Sequence, residues 1–251
     1  MKNLIVSLCI LCYLKSASAQ GLIHAHNDYS KPVPLVEALE SKAWSIEVDV
    51  FLVKGRLLVG HSLKETSRRK TLQSMYLNPI LSLFKLHKGK ISNDPAYSTH
   101  LVIDIKEDGS EVLDSLASLF NTLRNYFDRS VNPMAVQIII SGDRGNISKW
   151  KDYPSFIQFD GRPYETYDKV ALDKIAMISD NYFKYIETRT NRGDSVRIKE
   201  VVAKAKQLNK PVRFWGSPDN EATWKFLLQC GSEIINTDKP LAVRKFLESK
   251  Q

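Results

Sequence analysis

Cysteine is scarce in this sequence, and long apolar segments are scarcer still. Three cysteines occur among 251 residues, and two of them, Cys9 and Cys12, lie within the first 19 residues. If that segment is removed, Cys230 is left alone, which excludes an intrachain disulfide. After the first 19 residues there is no run of about 18 apolar residues, so no transmembrane segment is predicted there. A fold without disulfides must rely on its core, and on any bound metal, for stability.

The first 19 residues have the pattern of a signal peptide. Lys2 precedes an apolar run over residues 4–14, and Ala-Ser-Ala follows at 17–19. The run is shorter than the roughly 20 residues that a membrane-spanning helix needs. We therefore predict cleavage before Gln20, a secreted or periplasmic location, and one domain over residues 20–251. A buried helix is the alternative interpretation of this segment.

Basic residues outnumber acidic ones. The chain has 36 Lys and Arg against 28 Asp and Glu, a formal net charge of +8, and removal of Lys2 and Lys15 would leave +6. Such a charge favours anionic partners, such as phosphate esters or an acidic lipid surface, although it also serves plain solubility. The basic residues are scattered apart from the run over 64–70. No nucleic-acid-binding module is present, so no nucleic-acid partner is expected. The oligomeric state is left open.

Short apolar segments alternate with amphipathic helical segments along the chain. Eight strands are predicted: Leu22–Ala25, Ser45–Val50, Leu101–Ile105, Val136–Ile140, Ile157–Phe159, Ile175–Ile178, Val212–Phe214 and Glu233–Ile235. Six helices are predicted between and after them: Leu35–Ser41, Leu72–Leu86, Glu111–Tyr126, Ser195–Leu208, Glu221–Gln229 and Leu241–Ser249. The apolar, β-branched composition of the strands is typical of strands buried on both faces.

This alternation predicts an α/β fold, a (β/α)8 TIM barrel. An open doubly wound sheet is the alternative, and the lack of a glycine-rich loop after the first strand disfavours it. Smaller features are also predicted. They are helix N-caps at Ser110 and Asp194, a helix beginning at Pro240, and a hairpin that returns Leu57–Val59 onto the second strand.

Polar side chains collect where the predicted strands end, which in a barrel is where catalytic groups lie. Glu47 and Asp49 are two residues apart on one strand and therefore share a face, and Asp104 and Lys106 repeat this spacing on the next. Burying three carboxylates together costs several kcal/mol unless a cation compensates. A hard divalent ion such as Mg²⁺ or Ca²⁺ is the simplest compensation. A structural ion pair of Lys106 with one acid is the alternative.

Two histidines flank this acidic pair in the sequence. His26 follows the first predicted strand and His61 follows the hairpin, positions that favour acid/base roles. His24 shares a face with His26, so its role is left open. Past later strands, Arg144 is a candidate ligand for phosphate or a substrate headgroup, or else a salt-bridge partner. Trp215 is a candidate wall of the site, or else rim packing.

These motifs resemble the superfamily of phosphodiesterases with PI-PLC-like TIM barrels, which includes glycerophosphodiester phosphodiesterases and spider-venom-type phospholipases D. The resemblance is carried by HAHNDY (24–29), SIEVDVFLVKGRLLVGH (45–61), LVIDIK (101–106) and INTDKP (235–240). It implies catalytic roles for His26 and His61 and metal-ligand roles for Glu47, Asp49 and Asp104. It also implies a position near the phosphate for Lys106, and Trp215 matches an aromatic residue that lines the venom-type site.

The sequence also departs from the glycerophosphodiesterase pattern. Asn27 stands where those enzymes carry a phosphate-binding arginine, and Asp104 replaces their usual glutamate. We accordingly expect an exported, metal-dependent phosphoric diester hydrolase acting on a glycerophosphodiester-like or phospholipid-like substrate. His26 would act as base or nucleophile and His61 as acid. Both hydrolysis and formation of a cyclic phosphate fit this pattern. The alternatives are a phosphomonoesterase and a non-catalytic exported barrel that binds phosphate esters.

Overall fold

The computed structural model of the chain describes residues 21–187 and 192–249. Its centre is a closed barrel of eight parallel strands: β1 (Leu22–Ala25), β2 (Ser45–Val53), β4 (His100–Ile105), β5 (Gln137–Gly142), β6 (Ile157–Gly161), β7 (Ile175–Asn181), β10 (Val212–Trp215) and β11 (Ile234–Thr237). β1 pairs in parallel with both β2 and β11, and this closes the barrel. Closure rules out the open doubly wound sheet. The predicted signal peptide lies outside the described residues.

Two short hairpins extend this frame. β3 (Arg56–Val59) pairs antiparallel with the end of β2, as predicted, while β8 (Ile186–Glu187) and β9 (Arg192–Gly193) form a small ribbon. The helices are α1 (Val36–Glu40), α2 (Asn78–Leu86), α3 (Gly109–Asn121), α4 (Arg124–Phe127), α5 (Lys169–Asp173), α6 (Ser195–Gln207), α7 (Glu221–Cys230) and α8 (Pro240–Glu248). Within the described ranges, no helix is long and apolar enough to cross a membrane.

All eight predicted strands and the β3 hairpin are present, and most helices match the predictions closely. A π-helical turn over Gln73–Leu77 leads into α2, so the helix predicted over Leu72–Leu86 is continuous. Asp194 caps α6 by accepting hydrogen bonds from two backbone amides, and Pro240 begins α8. The helix predicted over Glu111–Tyr126 is instead divided into α3 and α4.

The predicted N-cap at Ser110 is wrong. The helix begins at Gly109, two residues before the predicted start, and the backbone amide of Gly109 donates to the Asp143 carboxylate at 2.9 Å. An acceptor from a distant loop thus takes the place of a local serine. Neither α5 nor the β8–β9 ribbon was predicted, and the two-residue strands of the ribbon are too short to show a periodic pattern.

The barrel interior is layered. Four fully buried apolar side chains pack together in its lower part: Val102, Ile139, Met177 and Ile234. Because alternate residues of a strand share a face, the residues two positions further along point into the same interior, nearer the mouth. Asp104 follows Val102 in this way, and Asn236 follows Ile234. The carboxyl ends of the strands therefore place a polar layer directly above an apolar floor.

Candidate active site

A cavity of about 320 Å³ opens at the carboxyl ends of the barrel strands. Seven of the nine predicted site residues line it, together with four that were not predicted: His26, Asn27, Glu47, His61, Asp104, Lys106 and Trp215, and then Ser141, Gly142, Arg162 and Arg213. Asp49 is fully buried and contacts two of the lining side chains, His61 and Lys106. Of the predicted set, only Arg144 lies apart.

The predicted metal ligands do come together. One carboxylate oxygen from each of Glu47, Asp49 and Asp104 lies within 4.8 Å of the other two. The β2–β4 register places Asp49 beside Asp104, and Glu47 precedes Asp49 on the same face of β2. Strand alternation combined with parallel pairing is therefore sufficient to assemble the cluster.

The Asp49 carboxylate is satisfied on one side only. Its Oδ2 accepts from the hydroxyl of Tyr29 at 2.8 Å and from Lys106 Nζ at 2.8 Å, and lies 3.1 Å from His61 Nδ1. Its Oδ1 is buried and has no hydrogen-bond partner among the described residues. A buried carboxylate oxygen without a donor is costly, and a bound cation would satisfy it.

The ionisable groups around the cavity also include more acids than permanently charged bases. Four buried or half-buried carboxylates lie beside three basic side chains: Glu47, Asp49, Asp104 and Asp160 against Lys106, Arg162 and Arg213. Burial, and then the neighbouring charge of Glu47, raises the pKa of Asp104 to about 7. Lys106 does form the ion pair that was the alternative to a metal site, but one ammonium cannot neutralise the whole cluster. The donor set, which consists only of carboxylate oxygens, fits a hard divalent ion.

His26 is held at the cavity by an acid from the last strand. Its Nδ1 donates to Asp238 Oδ1 at 2.8 Å, since a carboxylate can only accept, and its Nε2 lies 3.6 Å from Glu47 Oε1. Burial alone would lower the pKa of His26. The hydrogen bond to Asp238 and the charge of Glu47 outweigh burial, so the pKa is raised. The ring thus presents Nε2 to the cavity.

His61 has the same relationship to a different acid. Its Nδ1 lies 3.1 Å from Asp49 Oδ2, and its backbone amide donates to Glu65 at 3.2 Å. The side chain is 66% exposed, against 29% for His26. Among the residues that the structure describes, no group hydrogen-bonds His61 Nε2. Both histidines therefore have a carboxylate at Nδ1 and expose Nε2.

His24, whose role was left open, lies beneath the cavity. It is fully buried, with Nδ1 2.7 Å from Ser45 Oγ and Nε2 2.8 Å from Glu47 Oε2. Burial, and then the nearby charge of Arg213, lowers its pKa to about 4, so the ring is neutral near pH 7. His24 and Arg213 together hold one oxygen of Glu47, and the pKa of Glu47 is well below its usual value. We assign His24 to positioning Glu47.

Sequence reasoning missed a buried network on the opposite wall. Arg213 Nη1 donates to Glu47 Oε2 at 2.7 Å, and its Nη2 donates to Asp160 Oδ2 at 3.0 Å. Asp160 also pairs with Arg162 and accepts from the hydroxyls of Ser141 and Ser179. A signal was present in the sequence. Arg213 is two residues before Trp215 on one strand, and Asp160 ends another apolar run.

The prediction that Arg144 binds phosphate or a substrate headgroup is not supported. Its two terminal nitrogens donate to the Glu165 carboxylate at 3.0 and 2.7 Å, and its guanidinium lies over the ring of Trp150. The loop after β5 turns at Gly142, which has φ +69° and lies against Asp104 and Ile105. The chain thereby carries Arg144 away from the mouth, and the alternative of an ion-pair partner is correct.

Asn27 and Trp215 do reach the cavity. Asn27 adopts the left-handed conformation with φ 48°, and its side-chain oxygen lies 3.0 Å from the Tyr29 hydroxyl oxygen. The same hydroxyl donates to Asp49, so Asn27 belongs to the hydrogen-bonded surroundings of the acidic cluster. Trp215 is 37% exposed and forms part of the wall, and its indole nitrogen makes no hydrogen bond among the described residues.

Comparisons with known proteins agree with this architecture. The chain is 24% identical to the Altered inheritance of mitochondria protein 6 homolog of Arthroderma benhamiae, over 89% of this chain and 83% of that protein. A glycerophosphodiester phosphodiesterase from Parabacteroides distasonis has the same fold, with a TM-score of 0.59, 17% identity, and coverage of 92% of this chain and 98% of that one. A calcium-dependent phosphoinositol-specific phospholipase C from Pseudomonas sp. also shares it, with a TM-score of 0.56, 11% identity, and coverage of 90% of each chain.

The family assignment comes from a sequence profile. The profile of the AIM6-like phosphodiesterase domain matches residues 19–144, half of the chain. That span contains both candidate histidines and the three clustered carboxylates. The resemblance to PI-PLC-like phosphodiesterases, the barrel fold and the expectation of a phosphodiesterase are thereby confirmed, and the chain belongs to the AIM6-like phosphodiesterase domain family.

Proposed function

We propose that this protein is a metal-dependent phosphoric diester hydrolase that uses His26 and His61 as its acid/base pair. One observation carries the proposal. Two histidines, each with a carboxylate at Nδ1, line the same cavity as the carboxylate cluster. A protein that only bound phosphate esters would have no need for two such histidines.

The surroundings of the histidines suit opposite roles. Asp238 raises the proton affinity of His26, which lies deeper in the cavity, and so favours its action as the base or nucleophile. His61 is more exposed, and the contact of its Nδ1 with Asp49 would orient the ring so that Nε2 delivers a proton to the leaving alkoxide. Lys106 Nζ, 2.8 Å from Asp49, adds positive charge beside the position proposed for the phosphate.

Glu47, Asp49 and Asp104 would hold a divalent ion, which would act as a Lewis acid on the phosphoryl oxygens. A dication held by this cluster would add positive charge beside the position proposed for the anionic phosphodiester. Mg²⁺ and Ca²⁺ are both hard ions that prefer oxygen ligands. The phospholipase C from Pseudomonas is described as calcium-dependent, which makes Ca²⁺ the first ion to test.

The substrate class that we propose is a glycerophosphodiester or a phospholipid headgroup. The folds of the solved relatives support a phosphodiester, whereas Asn27 marks a departure from the glycerophosphodiesterase pattern. Where the substrate carries a hydroxyl next to the phosphate, that group would attack and give a cyclic phosphate.

We further propose export directed by residues 1–19. Mass spectrometry of the exported protein should find Gln20 first, and an intact or lipid-modified N-terminus would contradict this.

Side-by-side assays test the proposed reaction. Purified protein should hydrolyse bis(4-nitrophenyl) phosphate or glycerophosphocholine in preference to 4-nitrophenyl phosphate when Mg²⁺ or Ca²⁺ is present. Faster hydrolysis of the monoester would indicate a phosphomonoesterase, and binding without turnover of either ester would indicate a non-catalytic barrel. His87→Ala is the matched control for the histidine variants, because His87 pairs with Asn93 in an exposed loop and does not line the cavity.

A further inference from the structure

The guanidinium of Arg162 is held through Nη1, while the edge formed by Nε and Nη2 is open. Arg162 lines the cavity just after β6, and its side chain is 11% exposed. Its Nη1 makes every side-chain contact that the structure shows: Asp160 Oδ2 at 3.0 Å, Ser179 Oγ at 3.1 Å, and the backbone oxygens of Asp160 and Gly161 at 3.1 and 3.0 Å. Among the described residues, no group hydrogen-bonds its Nε or Nη2.

This open edge has the geometry that anions prefer. Nε–H and the outer Nη2–H of a guanidinium point in the same direction and match two oxygens of a phosphate. The anchor fixes the plane of the group, so little side-chain entropy is lost when an anion binds. The charge is also permanent, since Asp160 raises the already high pKa of Arg162 above its usual value.

The other cations around the cavity are more fully engaged. Lys106 Nζ is 2.8 Å from Asp49 and 3.5 Å from Asp104, and Arg213 is held by Glu47 and Asp160 with its Nε buried. Asn27, which also lines the cavity, is neutral. Among the described residues that line the cavity, Arg162 is therefore the Lys or Arg side chain whose unpaired donors are not buried.

We propose that Arg162 binds the phosphoryl group of the substrate through Nε and Nη2 while Nη1 stays on Asp160. The inference rests on the proposed function and adds a binding residue to it. Because the contact is to the phosphoryl group, which every diester shares, Arg162 should contribute equally whatever alcohol leaves. A contact to the leaving group would instead depend on which alcohol the substrate carries.

The test compares Arg162→Met and Arg162→Lys with Arg144→Met. Arg144 is an excellent control, because its side chain is also 11% exposed and also donates to the backbone oxygen of Asp160, yet it is paired with Glu165 outside the cavity. Two readouts are taken in buffer that contains Mg²⁺ or, separately, Ca²⁺: calorimetric binding of inorganic phosphate, and kcat/KM for bis(4-nitrophenyl) phosphate and glycerophosphocholine. Thermal melting of each variant is followed in parallel.

We expect Arg162→Met to weaken phosphate binding on the order of 10- to 100-fold, the effect of losing a charge-assisted hydrogen bond. kcat/KM should fall by a similar factor for both diesters. Arg162→Lys keeps a positive charge beside Asp160 but loses the paired donors, so its loss should be smaller and its melting temperature close to that of the unmodified protein. Arg144→Met should bind phosphate within about twofold of the unmodified protein.

Unchanged phosphate binding in both Arg162 variants would overturn the assignment, and so would a loss of kcat/KM confined to one diester. Equal losses in Arg144→Met would overturn it too, because the effect would then be structural. A failure of the proposed function would be seen separately from a failure of this inference. If the unmodified protein hydrolyses no diester but its phosphate binding still depends on Arg162, the anion-binding role stands and the phosphodiesterase proposal falls.

Discussion

Asp238 accepts a hydrogen bond from Nδ1 of His26 at 2.8 Å, although the two residues are 212 positions apart. Barrel closure brings them together, because β11 lies beside β1 and the two residues follow these neighbouring strands. The contact fixes the plane of the imidazole and directs Nε2 toward Glu47 and the cavity. In this arrangement Asp238 is a positioning residue that acts through His26.

Replacing Asp238 should therefore impair turnover more than substrate binding. Asp238→Asn should lower kcat on the order of 10- to 100-fold, as is typical when the partner that orients a functional histidine is lost, with KM changed much less. Asp238→Glu should recover part of kcat. Steady-state kinetics measures the changes in kcat and KM separately. A rise in KM at constant kcat would instead place Asp238 in substrate binding.

The two histidines should separate by their dependence on the leaving group. His26→Ala and His61→Ala should each reduce kcat by about 10² to 10⁴, the usual contribution of one acid/base group. A nitrophenyl diester, whose leaving group needs no proton, should partly rescue His61→Ala but not His26→Ala. Equal rescue of both variants would contradict the roles assigned here, while His87→Ala should retain full activity.

Metal binding should depend on the carboxylate cluster and not on the histidines. We expect calorimetry on protein freed of metal to detect binding of Ca²⁺ or Mg²⁺ that Asp49→Asn abolishes and His61→Ala preserves. Asp128→Asn is the control for loss of a buried carboxylate, because Asp128 pairs with Arg124 far from the cluster. Unchanged affinity in Asp49→Asn would remove that residue from the site.

A histidine away from the cavity should make the fold sensitive to acid. Burial, and then the charge of Arg129, lowers the pKa of His100 from 6.5 to about 3. The folded state therefore excludes a proton that the unfolded chain accepts below pH 6.5, so stability is present above that pH and is lost as the pH falls toward 3. At pH 5 the loss from this residue is roughly 2 kcal/mol.

Urea unfolding at pH 7 and pH 5 checks this value. His100→Gln should lose less free energy of unfolding between these pH values than the unmodified protein, by roughly 2 kcal/mol. His87→Gln is the exposed-histidine control and should behave as the unmodified protein does. An identical pH dependence in all three proteins would show that His100 does not exclude the proton.

The sequence was sufficient for the barrel and for one half of the site. The acidic cluster depends on spacing within β2 and β4 and on the pairing of those strands, all of which the alternation of apolar residues reveals. His26 and His61 follow elements that the same pattern locates. Local periodicity is informative here because the groups that meet belong to strands neighbouring in both sequence and space.

The other half of the site depends on distant pairing. Arg213 reaches Glu47 across 166 positions and Asp160 across 53, and no local pattern specifies such partners. The boundary of a strand mattered as well. The predicted strands Ile157–Phe159 and Ile175–Ile178 begin where the observed strands begin. The first of them was predicted to end at Phe159, so Asp160 was left outside the predicted strand. Asp238 was not predicted to act on His26, because the two residues lie 212 positions apart.

Removal and restoration of metal during diester hydrolysis tests the central claim most directly. Protein treated with EDTA and dialysed should lose its turnover of bis(4-nitrophenyl) phosphate and glycerophosphocholine, and added Ca²⁺ or Mg²⁺ should restore it. Asp49→Asn, assayed beside Asp128→Asn, should remain inactive at any concentration of either ion. Full diester hydrolysis by metal-free protein, or by Asp49→Asn, would contradict the proposal that the carboxylate cluster holds a catalytic metal.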